Sequence, residues 1–188
     1  DFLCGFMERN KDQPFLAYYP MILPHYPFVP TPDSANPKNK NKTGNFIDMV
    51  TYVYKMVGKL DTKLDELGIR ENTLVIFIGD NGTFAGISSQ LGGKEVLGGK
   101  GTMTDAGTHV PMIASWPGTI HPGKVSQDLV DFSDFLPTLC ELTGSEVPTE
   151  LAIDGRSFLP LLKGGDYQPR EWVYCWYSRN GKTNIQQW

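Results

Sequence analysis

Two uninterrupted apolar runs on either side of one long amphipathic stripe constrain this chain most. The first run is Pro14-Phe15-Leu16-Ala17-Tyr18-Tyr19, stopped by Pro20. Unbroken apolar and aromatic residues of that length read as a buried strand. The second is Thr73-Leu74-Val75-Ile76-Phe77-Ile78, bounded by Asn72 and Gly79 and rich in β-branched residues, so it reads as a strand covered on both faces. Between them Phe46, Met49, Val50, Val53, Val57, Leu60, Leu64 and Leu67 recur every three or four residues, with Asp48, Lys55, Lys59, Asp61, Lys63 and Glu66 opposite. That period predicts a helix over about 45–67, with Asn45 as N-cap and Gly68 at the left-handed C-terminal position. Strand, crossover helix and strand make a βαβ unit, so the expected fold class is α/β, a mainly parallel sheet flanked by helices. Both strands then end at one sheet edge, where ligands bind in such folds.

Pro24 to Lys42 is a long irregular connection, of the kind that carries function when it occurs in a compact domain. Residues 79–109 hold nine glycines and no clear period. Val110 to Trp116 resumes strand character and Pro117-Gly118 turns it. Phe132, Phe135, Leu136, Leu139 and Leu142 trace a second helical stripe, with Ser133 or Asp134 as cap and Gly144 at its end. Asp154 to Ser157 reads as a turn into a short helix. The tail with Trp172, Tyr174, Trp176 and Tyr177 reads as a closing strand. At 188 residues the chain suits a single α/β domain, 1–188, with 163–188 as its tail.

Charge narrows the function classes. Lys plus Arg is 17 against 21 for Asp plus Glu, a net charge of −4 with no basic block, which argues against nucleic acid as a partner. No apolar run is long enough to span a bilayer, so no membrane partner is expected. Cys4, Cys140 and Cys175 are odd in number and widely spaced, so they form neither a disulfide framework nor a CxxC metal pair.

Four features fall at or just after expected strand ends. His25, in Pro24-His25-Tyr26-Pro27, is either a structural loop histidine or a functional imidazole on a stiff loop. Asp80-Asn81-Gly82 ends the second run. It offers either two hard oxygen ligands for a divalent cation or an Asn-Gly hairpin turn. The stretch Gly92 to Gly101 is either a solvated loop or one whose glycines let Lys100 and backbone N–H groups approach an oxyanion. His109, in Thr104 to Pro111, reads as a packing or hydrogen-bonding residue, and His121 as a surface one.

In order, the blocks Pro14 to Pro32, Leu74 to Gly82 (LVIFIGDNG), Gly98 to Gly118 (GGKGTMTDAGTHVPMIASWPG), Asp131 to Gly144 and Asp154 to Leu162 resemble the C-terminal part of the sulfatase catalytic domain, within the alkaline phosphatase-like superfamily. The resemblance covers about 14–162. It implies that Asp80 and Asn81 are the downstream pair of ligands for a divalent cation, usually Ca²⁺, with Asp80 also placed to take a proton from the nucleophile. It implies that Lys100 binds the sulfate oxygens and that His25, beside the leaving-group oxygen, acts as general acid. His109 stands where relatives often carry Arg and receives no role.

The same resemblance puts an acidic metal pair and a C-x-P-S-R nucleophile motif, matured to formylglycine, upstream of the matched region, and no such run precedes Pro14. Cys175-Trp176-Tyr177-Ser178-Arg179 has Tyr where Pro belongs and comes after the metal pair, so it is read as a chance likeness. The expectation is therefore an incomplete alkaline phosphatase-like domain, its N-terminal part absent. Part of a Ca²⁺ and sulfate site is present, without turnover of its own. The implied substrate is a sulfated small molecule or carbohydrate. The implied location is periplasmic or secreted, and uncovered sheet favours self-association. The alternatives are a phosphoryl or phosphonate hydrolase of the same superfamily and a non-catalytic anion-binding domain.

Overall fold

The computed structural model describes residues 1–178. In chain order its elements are helices α1 (Phe2–Asn10) and α2 (Lys42–Glu66), and strands β1 (Val75–Ile78), β2 (Ser88–Leu91) and β3 (Lys94–Leu97). The one-turn helix α3 (Asp105–Thr108), strand β4 (Met112–Ser115) and helices α4 (Phe135–Thr143) and α5 (Leu159–Lys163) follow. They divide into two compact units: Asp1–Thr73 with Phe84–Gly98, and Leu74–Thr83 with the described residues from Gly99 onward.

The first unit is built on α2. Met49, Val53 and Leu64 of its apolar stripe are buried, and Phe28, Met49 and Ile87 form a core against which Leu23 and Phe46 pack. The helix begins earlier than its stripe because Asn41 is the N-cap, its side chain accepting the Gly44 amide at 3.0 Å. Asn45, the expected cap, lies one turn inside. There its buried amide donates to the carbonyls of Phe28 (3.1 Å) and Asn39 (3.0 Å), fastening the long connection to the helix. Gly68, at φ 69°, ends the helix as expected. The polar lead-in is helical: α1 buries Met7 and is tied to α2 by Lys59–Asp1 and Lys63–Glu8 ion pairs.

Pro14 to Tyr19 is not a buried strand. The run belongs to no ladder among the described residues, and Leu16, Tyr18 and Tyr19 are exposed, Tyr18 at 84%. An apolar run becomes a strand only where another strand takes up its backbone N–H and C=O groups. The stretch Gly92 to Gly101, expected as a loop, instead gives Gly92 to Leu97 to the turn and second strand of the β2–β3 hairpin. The hairpin turns on Gly92 and Gly93, whose φ values of 57° and 78° suit a two-residue connection.

In the second unit β1 pairs with β4, antiparallel, in the register Val75↔Ser115 to Ile78↔Met112. Both ladders among the described residues are antiparallel, and the expected parallel pairing does not form among them. With one neighbour only, β1 is partly buried along its length rather than covered on both faces. Gly118, at φ 78°, turns the chain after β4 as expected. Phe158 is fully buried and meets Phe135 of α4 edge to face at 5.4 Å. Residues 172–178 form no strand, so the expected closing strand is absent among the described residues.

Candidate functional site

The carboxyl end of β1 is where the sequence places Asp80 and Asn81, and glycines determine what surrounds it. The Gly79 amide donates to Pro111 carbonyl oxygen at 3.1 Å, extending the β1–β4 pairing by one bond. Beyond it the Gly82 amide donates to the Gly107 carbonyl at 2.8 Å, and the Lys100 amide to the Thr83 carbonyl at 2.9 Å. The Gly107 amide in turn donates to Thr104 at 2.8 Å. Three chain segments thus meet backbone to backbone. A Cβ on Gly82 would stand 1.9 Å from the Ala106 carbonyl oxygen, one on Gly99 2.6 Å from Ala106 Cβ, and one on Gly107 2.2 Å from the Thr102 carbonyl oxygen. No side chain fits there, so these positions require glycine.

This knot consumes backbone groups and leaves charged side chains outside it. Asp80 and Lys100 are exposed and Asn81 is half-buried, with no side-chain hydrogen bond or ion pair of theirs among the described contacts. The structure therefore links the backbone that carries Lys100 to the segment just after Asp80-Asn81. Asn81-Gly82 is not a hairpin turn, because β1 continues into the knot rather than into a partner strand. His109 is exposed, its Nδ1 3.1 Å from Asp105 Oδ1 one helical turn away, and His121 is exposed as expected.

His25 belongs to the first unit. Its loop is held by Leu23, which packs on the core, by the Asn45 bond to Phe28, and by Tyr26, which stacks on Phe84 at 5.7 Å. The bonds Leu23–Pro24 and Tyr26–Pro27 are both cis. The exposed imidazole donates Nδ1–H to the Tyr26 carbonyl at 2.6 Å. A carbonyl oxygen only accepts, so this bond assigns the proton to Nδ1 and leaves Nε2 as the reactive nitrogen.

Asp80 and Asn81 bring two hard oxygens, whereas Ca²⁺ takes six to eight. No group of three or more His, Cys, Asp or Glu among the described residues is arranged to hold a metal ion. These residues alone do not make a complete cation site.

A second charged centre lies at the start of α4, where the blocks Asp131 to Gly144 and Asp154 to Leu162 meet Arg170, a residue outside both. Asp134, one of the two expected residues, is the N-cap position of α4, and Asp131 caps the 3-10 turn Phe132–Asp134 that leads into it: its carboxylate accepts the Ser133 amide at 3.0 Å and the Ser133 hydroxyl at 2.5 Å. Asp134 is wholly buried and accepts the amides of Asp131 (2.8 Å) and Arg156 (2.7 Å) and the Arg170 guanidinium. Partial burial pushes the Asp131 carboxyl upward. The Ser133 hydroxyl and amide, with Arg170 and the Phe132 amide, outweigh that and hold it below its ordinary value. Tyr167 is pushed up, first by burial and then by the Asp134 charge. Cys175 is exposed, and the Arg179 of its C-x-x-S-R run lies outside the described residues.

A family model described as Sulfatase matches residues 1–145. Steryl-sulfatase of Mus musculus is 31% identical over 189 residues, covering 97% of this chain and 30% of the relative. Arylsulfatase A of Homo sapiens is 36% identical over 171 residues, covering 90% and 33%. The chain thus spans about a third of the length of these relatives. A crystal structure of Ps i-CgsB in complex with k-i-k-neocarrahexaose superposes with a TM-score of 0.69 at 29% identity, covering 87% of this chain and 37% of that one.

Proposed function

The chain belongs to the sulfatase family, and from that premise we propose that it supplies the sulfate-binding and leaving-group residues of a sulfuric ester hydrolase. The observation that carries this reading is the glycine knot: the Lys100 amide bonded to Thr83, directly after Asp80-Asn81-Gly82, with the side chains of Asp80 and Lys100 left outside it. In this reading the Lys100 ammonium binds the sulfate oxygens, where fixed positive charge stabilises the charge that develops as the S–O bond breaks. His25, with Nδ1–H held by Tyr26, gives a proton from protonated Nε2 to the departing ester oxygen, which leaves as an alcohol. Asp80 and Asn81 contribute oxygens to the divalent cation that the family generally binds, Ca²⁺ in this proposal.

The sequence holds no C-x-P-S-R run, so the 188-residue chain by itself binds a sulfated molecule without turning it over. A periplasmic or secreted setting goes with this reading, and the substrate is a sulfated small molecule or carbohydrate. The test is hydrolysis of an aryl sulfate by a protein that spans the length of the relatives and carries these residues. Lys100→Ala and His25→Ala should each lower kcat/KM by about 10²-fold or more. Wild-type rates in Lys100→Ala would remove the assignment. Faster cleavage of the matched phosphate ester would favour phosphoryl transfer, and complete inertness with retained sulfate binding a non-catalytic anion-binding role.

A further inference from the structure

The second unit contains a cavity of about 720 Å³ that none of the proposed catalytic or metal residues lines. Its walls include Ser133, Asp154, Arg156, Arg170, Trp172 and Tyr174. One wall is a built charge pair: Arg170, whose side chain is only 10% exposed, is anchored on the wholly buried Asp134. Its Nε is buried without a hydrogen-bond partner among the described residues, so the pair does not satisfy the guanidinium. Arg156 gives only its backbone amide to Asp134, and its exposed guanidinium makes no ion pair with a described residue. Trp172 and Tyr174 are 68% and 69% exposed.

This combination selects a ligand class. Two exposed aromatic faces take an apolar ring face at low entropic cost, and guanidinium and carboxylate groups offer donors and acceptors in comparable number. A polyphosphate is disfavoured, because Asp131, Asp154 and Glu171 line the same cavity and offset the two arginines. A purely apolar ligand would leave the arginine and carboxylate walls desolvated. A sugar ring satisfies all of them, with C–H faces to stack on the aromatics and hydroxyls that both donate and accept. The volume lies within the range of about 300–1,000 Å³ usual for ligand pockets. We propose that this cavity is a saccharide-binding site, separate from the residues assigned to sulfate and directed at ring hydroxyls rather than at a sulfate group.

The test titrates the 188-residue chain with hexasaccharides of carrageenan, chondroitin sulfate, cellulose and mannan, reading saturable binding by calorimetry. At least one should bind, and Trp172→Ala and Arg156→Ala should each weaken that binding about tenfold or more. Both side chains are exposed, so circular dichroism should show an unchanged fold. A desulfated form of a sulfated binder should bind within about threefold of its parent, a difference of well under 1 kcal/mol. Absence of saturable binding by all four, binding that neither substitution weakens, or binding that vanishes on desulfation would each overturn the proposal.

Discussion

Two knots hold remote segments of the second unit together, and they are made of opposite materials. Around Gly82, Gly99 and Gly107 the ties are backbone hydrogen bonds between segments packed too closely for a Cβ, and Asp80 and Lys100 remain outside. Around Asp134 the ties run to charged and capping side chains: a buried carboxylate gathers two amides and a guanidinium, with the Asp131 cap beside it. The difference lies in which charges are left over. Where a buried carboxylate holds the fold it is itself spent, and the guanidinium groups of Arg156 and Arg170 around it still line a cavity, whereas where glycines hold the fold Asp80 and Lys100 both stay outside the ties.

The sharpest way to break this contrast is Asp134→Ala. It leaves the Arg170 charge buried without its partner, and chemical denaturation should show a loss of about 3–5 kcal/mol. A loss under 1 kcal/mol would mean that the carboxylate is not structural. Gly107→Ala strikes the other knot. The new methyl would meet the backbone oxygens of Thr102 and Gly99 at 2.2 and 2.7 Å, so the segments must part. The expected loss is about 1–3 kcal/mol.

Asp131→Asn sharpens the scaffold side at smaller amplitude. The folded Asp131 carboxyl lies below its unfolded value of about 3.9, so its contribution is complete above that value and is lost as pH falls through the folded one. Asn caps about as well at neutral pH. Without the charge beside Arg170 the variant should be slightly less stable than wild type at pH 7, and it should lose less stability than wild type on acidification from pH 5 to pH 2, read from denaturation midpoints. The smallest effect on stability is expected for Lys100→Ala, within about 0.5 kcal/mol of wild type, although the same change should lower kcat/KM by about 10²-fold or more in a protein that spans the length of the relatives. A large stability loss there would turn Lys100 into a scaffold residue and erase the contrast.

What could be read from the sequence follows from the range of the forces involved. Helix α2, Gly68, β4, the Gly118 turn and the α4 stop at Gly144 depend on neighbours within a few residues, and the period and glycine placement reveal them. The run Pro14 to Tyr19 has the same apolar signature as β1, yet only β1 finds a ladder, because pairing depends on a distant segment that the run itself does not encode. The β2–β3 hairpin had a readable signal, Gly92-Gly93 between two short runs, but its charged and hydroxyl residues hide any apolar alternation. Asp80, Asn81 and Lys100 could be nominated from their place after a strand, whereas the close packing that joins their backbones is non-local. Arg170 carried no motif, since its importance comes wholly from the burial of Asp134, 36 residues earlier.

The turn at Gly92-Gly93 gives the hairpin a practical use. Its strands depart and return side by side, clasped below by the Gly98 amide on the Ile87 carbonyl at 2.9 Å. A reporter peptide spliced between those two glycines would open no other bond of the ladder. Such a graft would attach a fluorescent or affinity handle to the stretch of chain that joins Asp80-Asn81 to Lys100.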